Sequence, residues 1–360
     1  MATPTARRAA AVAATLALLA AGCSGPVARG RQPGSAGGSE GGTPAATAAG
    51  PATPPPVPAA RTGLGARPSP SARPCTVFPA DNVWHADVSR LPVHPRSAAM
   101  TAAIGADAAV HADFGSGRWE GAPIGIPVTV VPAGQRRVPV TFGYADESDP
   151  GPYPVPPDAA VEGGPGGTGD RHVIVWDRTA CRAYELFDAH PAAGGGWRAG
   201  SGAVFDLRSN RLRPAGWTSA DAAGLPILAG LVRYDEVAAG RIDHAIRVTV
   251  PRTRSGWTWP ATHSASSATD PALPQLGQRL RLKRSVDLSR VPRQARIVAE
   301  AMRRYGVIVA DHGSAWYLSG APDPRWDNDA LHALGGLRGR DFEVVDASAL
   351  MVSRGSAAVR

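Results

Sequence analysis

Two histidines each open an apolar segment, where they could transfer protons near neutral pH. His172 begins the string HVIVWD, and His244 begins HAIRVTV. Alternate residues of a strand share a face, so each histidine would lie on the same face as apolar neighbours. On the wall of a cleft, such a histidine can act as a general acid or base. The alternative is a hydrogen-bonded histidine of the core.

Three carboxylates are the candidate partners of these histidines. Glu185 lies within RAYELFDA, Asp206 within GAVFDL, and Glu236 in the polar string RYDEV. A histidine and a carboxylate within hydrogen-bond reach can share a proton during a reaction. We therefore take His172, His244, Glu185, Asp206 and Glu236 as candidate catalytic residues.

Loop tryptophans and one strand arginine suggest a sugar site. Trp217 lies in RPAGWTSADAAGLP, and Trp257 and Trp259 lie in SGWTWP. Indole rings near polar groups can stack on pyranose faces, although most tryptophans serve core packing. Arg247 lies on the strand face opposite that of His244 and could steady an acidic sugar.

An acidic loop offers a weak metal candidate. In YADESDPGPYPVPP, at 144–157, the carboxylates of Asp146, Glu147 and Asp149 could coordinate calcium through hard oxygens. Their spacing matches no defined calcium loop, which favours a solvated turn. We expect no cofactor.

Most common catalytic motifs do not occur in the chain, which has no HExxH, GxxxxGK[ST] or EF-hand loop. The one GxSxG string, at 37–41, lies in a low-complexity stretch, and the one GxGxxG string, at 164–169, precedes an apolar segment instead of following one. The string DHGS at 311–314 contains Asp, His and Ser, but adjacent residues of a strand point apart and cannot form a relay. Most familiar enzyme classes lose support.

Many short strands must position these side chains. Ten segments rich in β-formers alternate with Gly and Pro, which favours a mainly β sandwich or jelly roll. These segments are 124–131, 137–145, 172–177, 182–189, 202–207, 244–250, 280–286, 306–311, 315–320 and 342–347. Turns are predicted at PAGQ, after Val131, and at DRTA, after Trp176.

One or two helices should pack on this domain toward the C-terminus. Pro292 suits a first helical turn, apolar residues then repeat at helical spacing, and Gly306 suits the end of the helix. A weaker helix is predicted at about 326–334.

The N-terminus has the pattern of an export signal. Arg7 and Arg8 precede a short apolar run that ends at Cys23, and LLAAGC resembles a bacterial lipobox. We expect residues 1–22 to be a signal peptide and Cys23 to carry the lipid anchor, with an ordinary secreted protein as the alternative. Cys75 and Cys181 then remain as a pair, which predicts a disulfide in an oxidising compartment, with free thiols as the alternative.

The basic charge belongs mainly to the chain ends. The net charge is +8, but residues 1–74 contain seven arginines and one glutamate. From 23 to 74 the chain is largely Ala, Gly, Pro, Ser, Thr and Arg, which predicts a disordered tether. A nearly neutral domain at 75–350 and a flexible tail at 351–360 follow. Nucleic-acid binding, which needs many cationic contacts, is not expected.

Several strings resemble a widespread group of exported, largely uncharacterised bacterial proteins. They include FPADNVW, GDRHVIVWD, RPAGWTSADAAGLPI and YGVIVADHGSAWYLSGAPDPRW, within roughly 75–350. The resemblance supports the extent of the domain and its export, and it implies no catalytic residue. The near absence of lysine beside abundant arginine is typical of high-GC actinobacteria.

Two functions remain open at this point. The first is a carbohydrate-active hydrolase or lyase acting on a polysaccharide outside the cytoplasm. The second is a non-catalytic envelope lipoprotein that binds glycan or a partner protein. In both, the expected partner is the membrane, through the lipid anchor, and the candidate ligand is a polysaccharide.

Overall fold

A computed structural model describes residues 75–360, which belong to one compact unit, Ser69–Arg360. The expected signal peptide, Cys23 and the tether lie outside the described residues. The helices are Ser97–Gly105 (α1), Ile227–Gly230 (α2), Tyr234–Ala238 (α3), Arg293–Arg304 (α4) and Asn328–His332 (α5). The strands are His111–Asp113 (β1), Arg118–Trp119 (β2), Ala122–Pro123 (β3), Val128–Val131 (β4), Val140–Phe142 (β5), Val173–Asp177 (β6), Arg182–Phe187 (β7), His190–Ala192 (β8), Gly196–Ala199 (β9), Ser201–Asp206 (β10), Ile246–Val250 (β11), Arg279–Leu282 (β12), Val307–His312 (β13), Tyr317–Ser319 (β14) and Phe342–Val344 (β15).

The fold is mainly β, as the sequence predicts. A six-stranded mixed sheet has the order β1-β14-β11-β13-β12-β15, and a four-stranded sheet has the order β10-β7-β6-β4. A three-stranded sheet, β5-β9-β8, and the β2-β3 hairpin complete the strand pairing. Each of the ten predicted segments overlaps a strand. The sandwich or jelly-roll arrangement stays a prediction.

Strand β6 shows why the four-stranded sheet is buried on both faces. All five of its residues are buried. Val173 and Val175 contribute to a smaller apolar cluster with Tyr153 and Trp197, whereas Ile174 contributes to the main core. Because alternate side chains point to opposite faces, one continuous apolar strand can supply two cores.

Helix α4 confirms the helix predicted at 292–305. Its buried residues include Val298 and Met302, and it follows Pro292 directly. Gly306 ends the segment with φ of 73°, and a Cβ there would lie 2.2 Å from the carbonyl oxygen of Leu280. Only glycine fits such a close approach in the left-handed region. The chain therefore passes directly from the end of α4 into β13.

Two parts of the chain differ from the sequence expectation. Helix α1 lies well before the C-terminal region, where we expected the helices; its alanine-rich sequence has high helical propensity without an amphipathic pattern. Residues 351–360, expected to be a flexible tail, form bridges such as Asn82 with Ala358 and Arg211 with Ser356. Backbone pairing and the burial of Ala357 hold this end in place.

The arginines of strand β12 make contacts inside the protein. Arg279 is buried and donates hydrogen bonds to the carbonyl oxygens of Tyr305, Val83 and Ala86 at 2.7, 3.1 and 3.3 Å. Arg281 pairs with Glu343 at 2.7 Å. These cations therefore hold neighbouring segments together.

The predicted disulfide is confirmed. Cys75 and Cys181 are bonded, with their Cα atoms 5.3 Å apart and 106 positions apart in sequence. Cys181 follows the DRTA turn, which joins the antiparallel strands β6 and β7 as predicted. The PAGQ turn instead leads from β4 to β5, which belong to different sheets. Within residues 75–360, no helix is long and apolar enough to cross a membrane.

Candidate functional site

A cleft of about 960 Å³ opens between the edge of the six-stranded sheet and a glycine-rich loop. Strand β1, Tyr317 of β14, the β2-β3 hairpin and helix α5 form its walls together with residues 162–171. Its polar and aromatic lining includes His111, Asp113, Trp119, Glu120, Glu162, Asp170, Tyr317, Asn328 and His332.

Pairing between β1 and β14 positions one wall of the cleft. The two strands run parallel, with His111 opposite Tyr317 and Asp113 opposite Ser319. The rings of His111 and Tyr317 lie 4.3 Å apart between centroids. On the nearby hairpin, the indole of Trp119 is 72% exposed. Aromatic surface is therefore presented at two places around the opening.

Arg171 holds the glycine-rich loop that forms the facing wall. Its side chain is buried and donates to the carbonyl oxygens of Gly164, Pro165 and Gly167, at 3.2, 3.2 and 2.7 Å. A further bond reaches the carbonyl of Ala189 at 3.2 Å. A loop that lacks side chains to pack is thus organised by one guanidinium, which satisfies several backbone acceptors at once.

An ion pair between Glu162 and His172 lies in this wall. Nδ1 of His172 lies 2.5 Å from Oε2 of Glu162, and Nε2 lies 3.0 Å from the carbonyl oxygen of Ala220. Both ring nitrogens face acceptors, so the ring donates twice as an imidazolium. Burial alone would lower the pKa of His172, but the charge and hydrogen bond of Glu162 raise it to about 9.

The cleft carboxylates have pKa values shifted in opposite directions. Burial would raise the pKa of Glu162, but the positive charge of His172 holds it below its usual range. Asp113 and Asp170 remain open to the cleft; partial burial raises the pKa of both, and the negative charge of Glu162 adds to this rise. Glu162 therefore favours the ionised form, while the two aspartates hold their protons to higher pH.

Behind the cleft, Arg247 is enclosed by acidic and hydroxyl groups. It donates to Asp221 at 2.8 Å, to Ser319 at 2.7 Å and to Asp311 at 3.0 Å. Burial raises the pKa of Asp221 to about 7, although the charge of Arg247 opposes this rise. Arg247, expected to contact sugar, is 4% exposed and its contacts stabilise the junction of these segments.

Glu185 is likewise placed inside the protein. It is fully buried and accepts hydrogen bonds from the backbone N–H groups of Ile227 and Leu228 at 2.8 and 2.9 Å. The carboxylate thereby satisfies the first donors of α2, which no residue within the helix can do. Burial raises its pKa to about 7, against the effect of these two bonds.

His244 has a partner that the sequence suggested. Its Nε2 lies 3.2 Å from Glu236, which also pairs with Arg233. Its Nδ1 lies 2.7 Å from the carbonyl oxygen of Ala245. This group fixes α3 beside the start of β11. His172 and His244 precede strands of different sheets, and no hydrogen bond joins them.

The other proposed residues lie away from the cleft lining. Asp206 is exposed at the end of β10, where it accepts a bond from the N–H of Arg208. Trp217 lies beside Arg213, 40% of Trp257 is exposed, and Trp259 donates to the carbonyl of Ser356 at 2.8 Å. None of these three tryptophans contributes to the cleft wall.

Two of the three calcium candidates are engaged in protein contacts. Glu147 accepts a bond from the N–H of Thr218 at 3.0 Å, and Asp149 pairs with Arg213. Asp146 is exposed. Within residues 75–360, no group of three or more His, Cys, Asp or Glu side chains is arranged to hold a metal ion. The acidic loop therefore uses two of its carboxylates to hold the segment around 213–218.

Sequence reasoning missed the residues that line the cleft. Glu162 and Asp170 flank the string GGPGGTG, and this run of glycine between two acids was the available signal. Asp113 and Trp119 lie in very short strands without apolar alternation, so no periodic pattern in the sequence indicated them. Comparisons of the chain with protein-family models, curated proteins and solved structures found no match.

Proposed function

We propose that this domain is a carbohydrate-active enzyme, a polysaccharide hydrolase or lyase, whose reaction takes place in the cleft. The observation that carries the proposal is the Glu162 carboxylate, held ionised by the buried His172 in a wall that also presents Asp113 and Asp170. Two kinds of carboxyl group, one ionised and one protonated, are what acid and base catalysis at a glycosidic bond requires.

Each group has a definite role in the hydrolytic form of this proposal. Both bonds from His172 reach Oε2 of Glu162, so Oε1 is the oxygen that can face a substrate. One protonated aspartate gives its proton to the leaving oxygen while Glu162 attacks the sugar or takes a proton from water. His172 is then a positioning residue that keeps Glu162 ionised. It does not touch the substrate.

Aromatic groups at the opening suit a sugar ring. The exposed indole of Trp119 and the phenol of Tyr317 offer flat apolar faces beside the carboxylates. Such a pairing of aromatic surface with a few polar groups binds pyranose rings in many sites. Without such a ligand, the exposed indole of Trp119 would leave a large apolar surface in contact with water, which is unfavourable.

We further propose that the domain works outside the cytoplasm, anchored to the membrane through Cys23. The bonded pair of Cys75 and Cys181 supports an oxidising compartment, since such bonds rarely persist where thiols are kept reduced. Replacing Cys23 with alanine should release the protein or leave an unprocessed precursor. Unchanged membrane association with normal processing would contradict the anchor.

A non-catalytic lipoprotein that binds glycan or protein is the second candidate. It is favoured by the burial of His172 and His244, whose ring nitrogens already face protein acceptors. Histidines of that kind more often stabilise a fold than transfer protons to a ligand. The two candidates differ in whether substrate bonds are broken.

The test is to incubate the full chain with a panel of polysaccharides and to measure new reducing ends and unsaturated uronates. Hydrolysis gives only the first signal, and a lyase gives both. Glu162→Gln should lower turnover by about 10² to 10⁴, the usual contribution of a positioned acid or base. Glu300→Gln, on the exposed side of α4, is the matched control and should leave turnover unchanged. Binding without turnover would support the second candidate.

A further inference from the structure

Positive charge near the cleft is largely engaged by acceptors of the protein itself. Arg171 contributes to the lining, but its Nε and Nη1 atoms donate to four backbone carbonyls. Arg247 donates to Asp221, Asp311 and Ser319, and His172 is 2% exposed and faces Glu162. Arg247 and His172 do not contribute to the cleft lining.

Carboxyl groups, in contrast, face the space inside the cleft. Asp113, Glu120, Glu162 and Asp170 all line the cleft, and only Glu162 has a cationic partner among the described residues at hydrogen-bond distance. The histidines at the rim are His111, whose ring lies beside that of Tyr317, and His332. A ligand that carries carboxylates would meet these acids without a facing guanidinium.

The aromatic groups give the cleft a second, independent preference among ligands. Trp119 and Tyr317 suit the face of a sugar ring, and the face of an aromatic ring also attracts a cationic group. A sugar that carries an ammonium group satisfies both the carboxylates and the rings. An extended basic peptide would pair with the carboxylates, but it offers no flat ring to stack on the exposed indole of Trp119.

We propose that the cleft selects a glycan with free amino groups, such as a chain of glucosamine units, over neutral or acidic glycans. This inference rests on the proposed carbohydrate function and names its substrate class. The ammonium groups lie against Glu120 and the aspartate that does not donate the proton, and the pyranose rings stack on Trp119 and Tyr317. The earlier expectation of an acidic sugar steadied by Arg247 is replaced, since that guanidinium is enclosed.

Calorimetry with the full chain tests this selectivity. Oligosaccharides of equal length are titrated at pH 6: glucosamine, its N-acetylated form and galacturonate, with oligolysine as the peptide probe. We expect the glucosamine oligomer to bind tightest and to weaken as salt is raised, because exposed charges are screened. Glu120→Gln should lower its affinity by roughly two- to fivefold, the range of an exposed charge pair. The same substitution should leave the N-acetylated oligomer unchanged.

Glu300→Gln is the control for loss of one remote charge. It should change neither the affinity for the glucosamine oligomer nor that for the N-acetylated oligomer. Tighter binding or faster cleavage of the N-acetylated or galacturonate oligomer would overturn the inference and leave the carbohydrate function standing. Tighter binding of oligolysine would point to a basic peptide and also overturn it. No binding and no cleavage of any glycan would remove the proposed function itself.

Discussion

Replacing His172 with glutamine should cost stability mainly at low pH. The folded-state pKa of His172 is about 9, against 6.5 for a free histidine. This difference corresponds to about 3 kcal/mol in the free energy of unfolding. Because the folded-state pKa is raised, the contribution is complete below pH 6.5, declines as the pH rises, and is lost above pH 9.

Urea unfolding of the wild type and of His172→Gln, with the disulfide intact, measures this contribution. We expect the variant to be less stable by about 3 kcal/mol or more at pH 5.5, because Glu162 is left without its cation. At pH 10 the difference should shrink to the loss of packing and one hydrogen bond, about 1 kcal/mol.

The exposed pair of His190 and Asp188 provides the control, since His190→Gln should change stability by less than about 1 kcal/mol at either pH. Nitrogen chemical shifts of the His172 ring give a direct second measurement. A stability difference that stays constant from pH 5.5 to pH 10, with a neutral ring at pH 7, would refute the ion pair.

Glu185→Gln should lower the free energy of unfolding by about 1 to 3 kcal/mol in urea titrations, because an amide group would face a backbone N–H of α2. Asp206→Asn, at an exposed position, should change it by less than about 0.5 kcal/mol, and equal losses would contradict the placement of Glu185. Burial raises the pKa of Glu185 and of Asp221 to about 7, so their contributions are complete below about pH 4 and lost as the pH rises through 7. The urea midpoint of the wild type should therefore fall from pH 5 to pH 8, and a rise would count against these raised values. Removing the bond between Cys75 and Cys181 should cost about 4 to 5 kcal/mol, as loop-closure entropy implies, and an unchanged thermal midpoint after reduction would contradict this.

Local patterns were sufficient to predict most of the secondary structure. A continuous apolar run marked β6, apolar alternation marked β11, and helical spacing between Pro292 and Gly306 marked α4. Helix α1 was missed because its small residues give no amphipathic period, and α2 and α3 are too short to show one. A strand of three residues such as β1 depends on a pairing partner distant in sequence, here β14.

The candidate site was predicted only in part. Histidine and carboxylate were expected to pair, and His244 does lie beside Glu236. For His172 the partner is Glu162, ten positions earlier, in a loop whose conformation depends on Arg171. No period or spacing rule links a loop acid to a strand residue, so this pairing could not be derived from the sequence.

By itself, the sequence determined the local features: the mainly β character, the helix at 293–304, the pairing of Cys75 with Cys181, and the concentration of basic charge at the chain ends. Each follows from neighbouring residues or from simple counting. Only the tertiary structure decided which polar side chains meet in the cleft and which are enclosed. The physical reason is that burial and pairing of a charge depend on segments far apart in sequence, as Arg247 and Glu185 demonstrate.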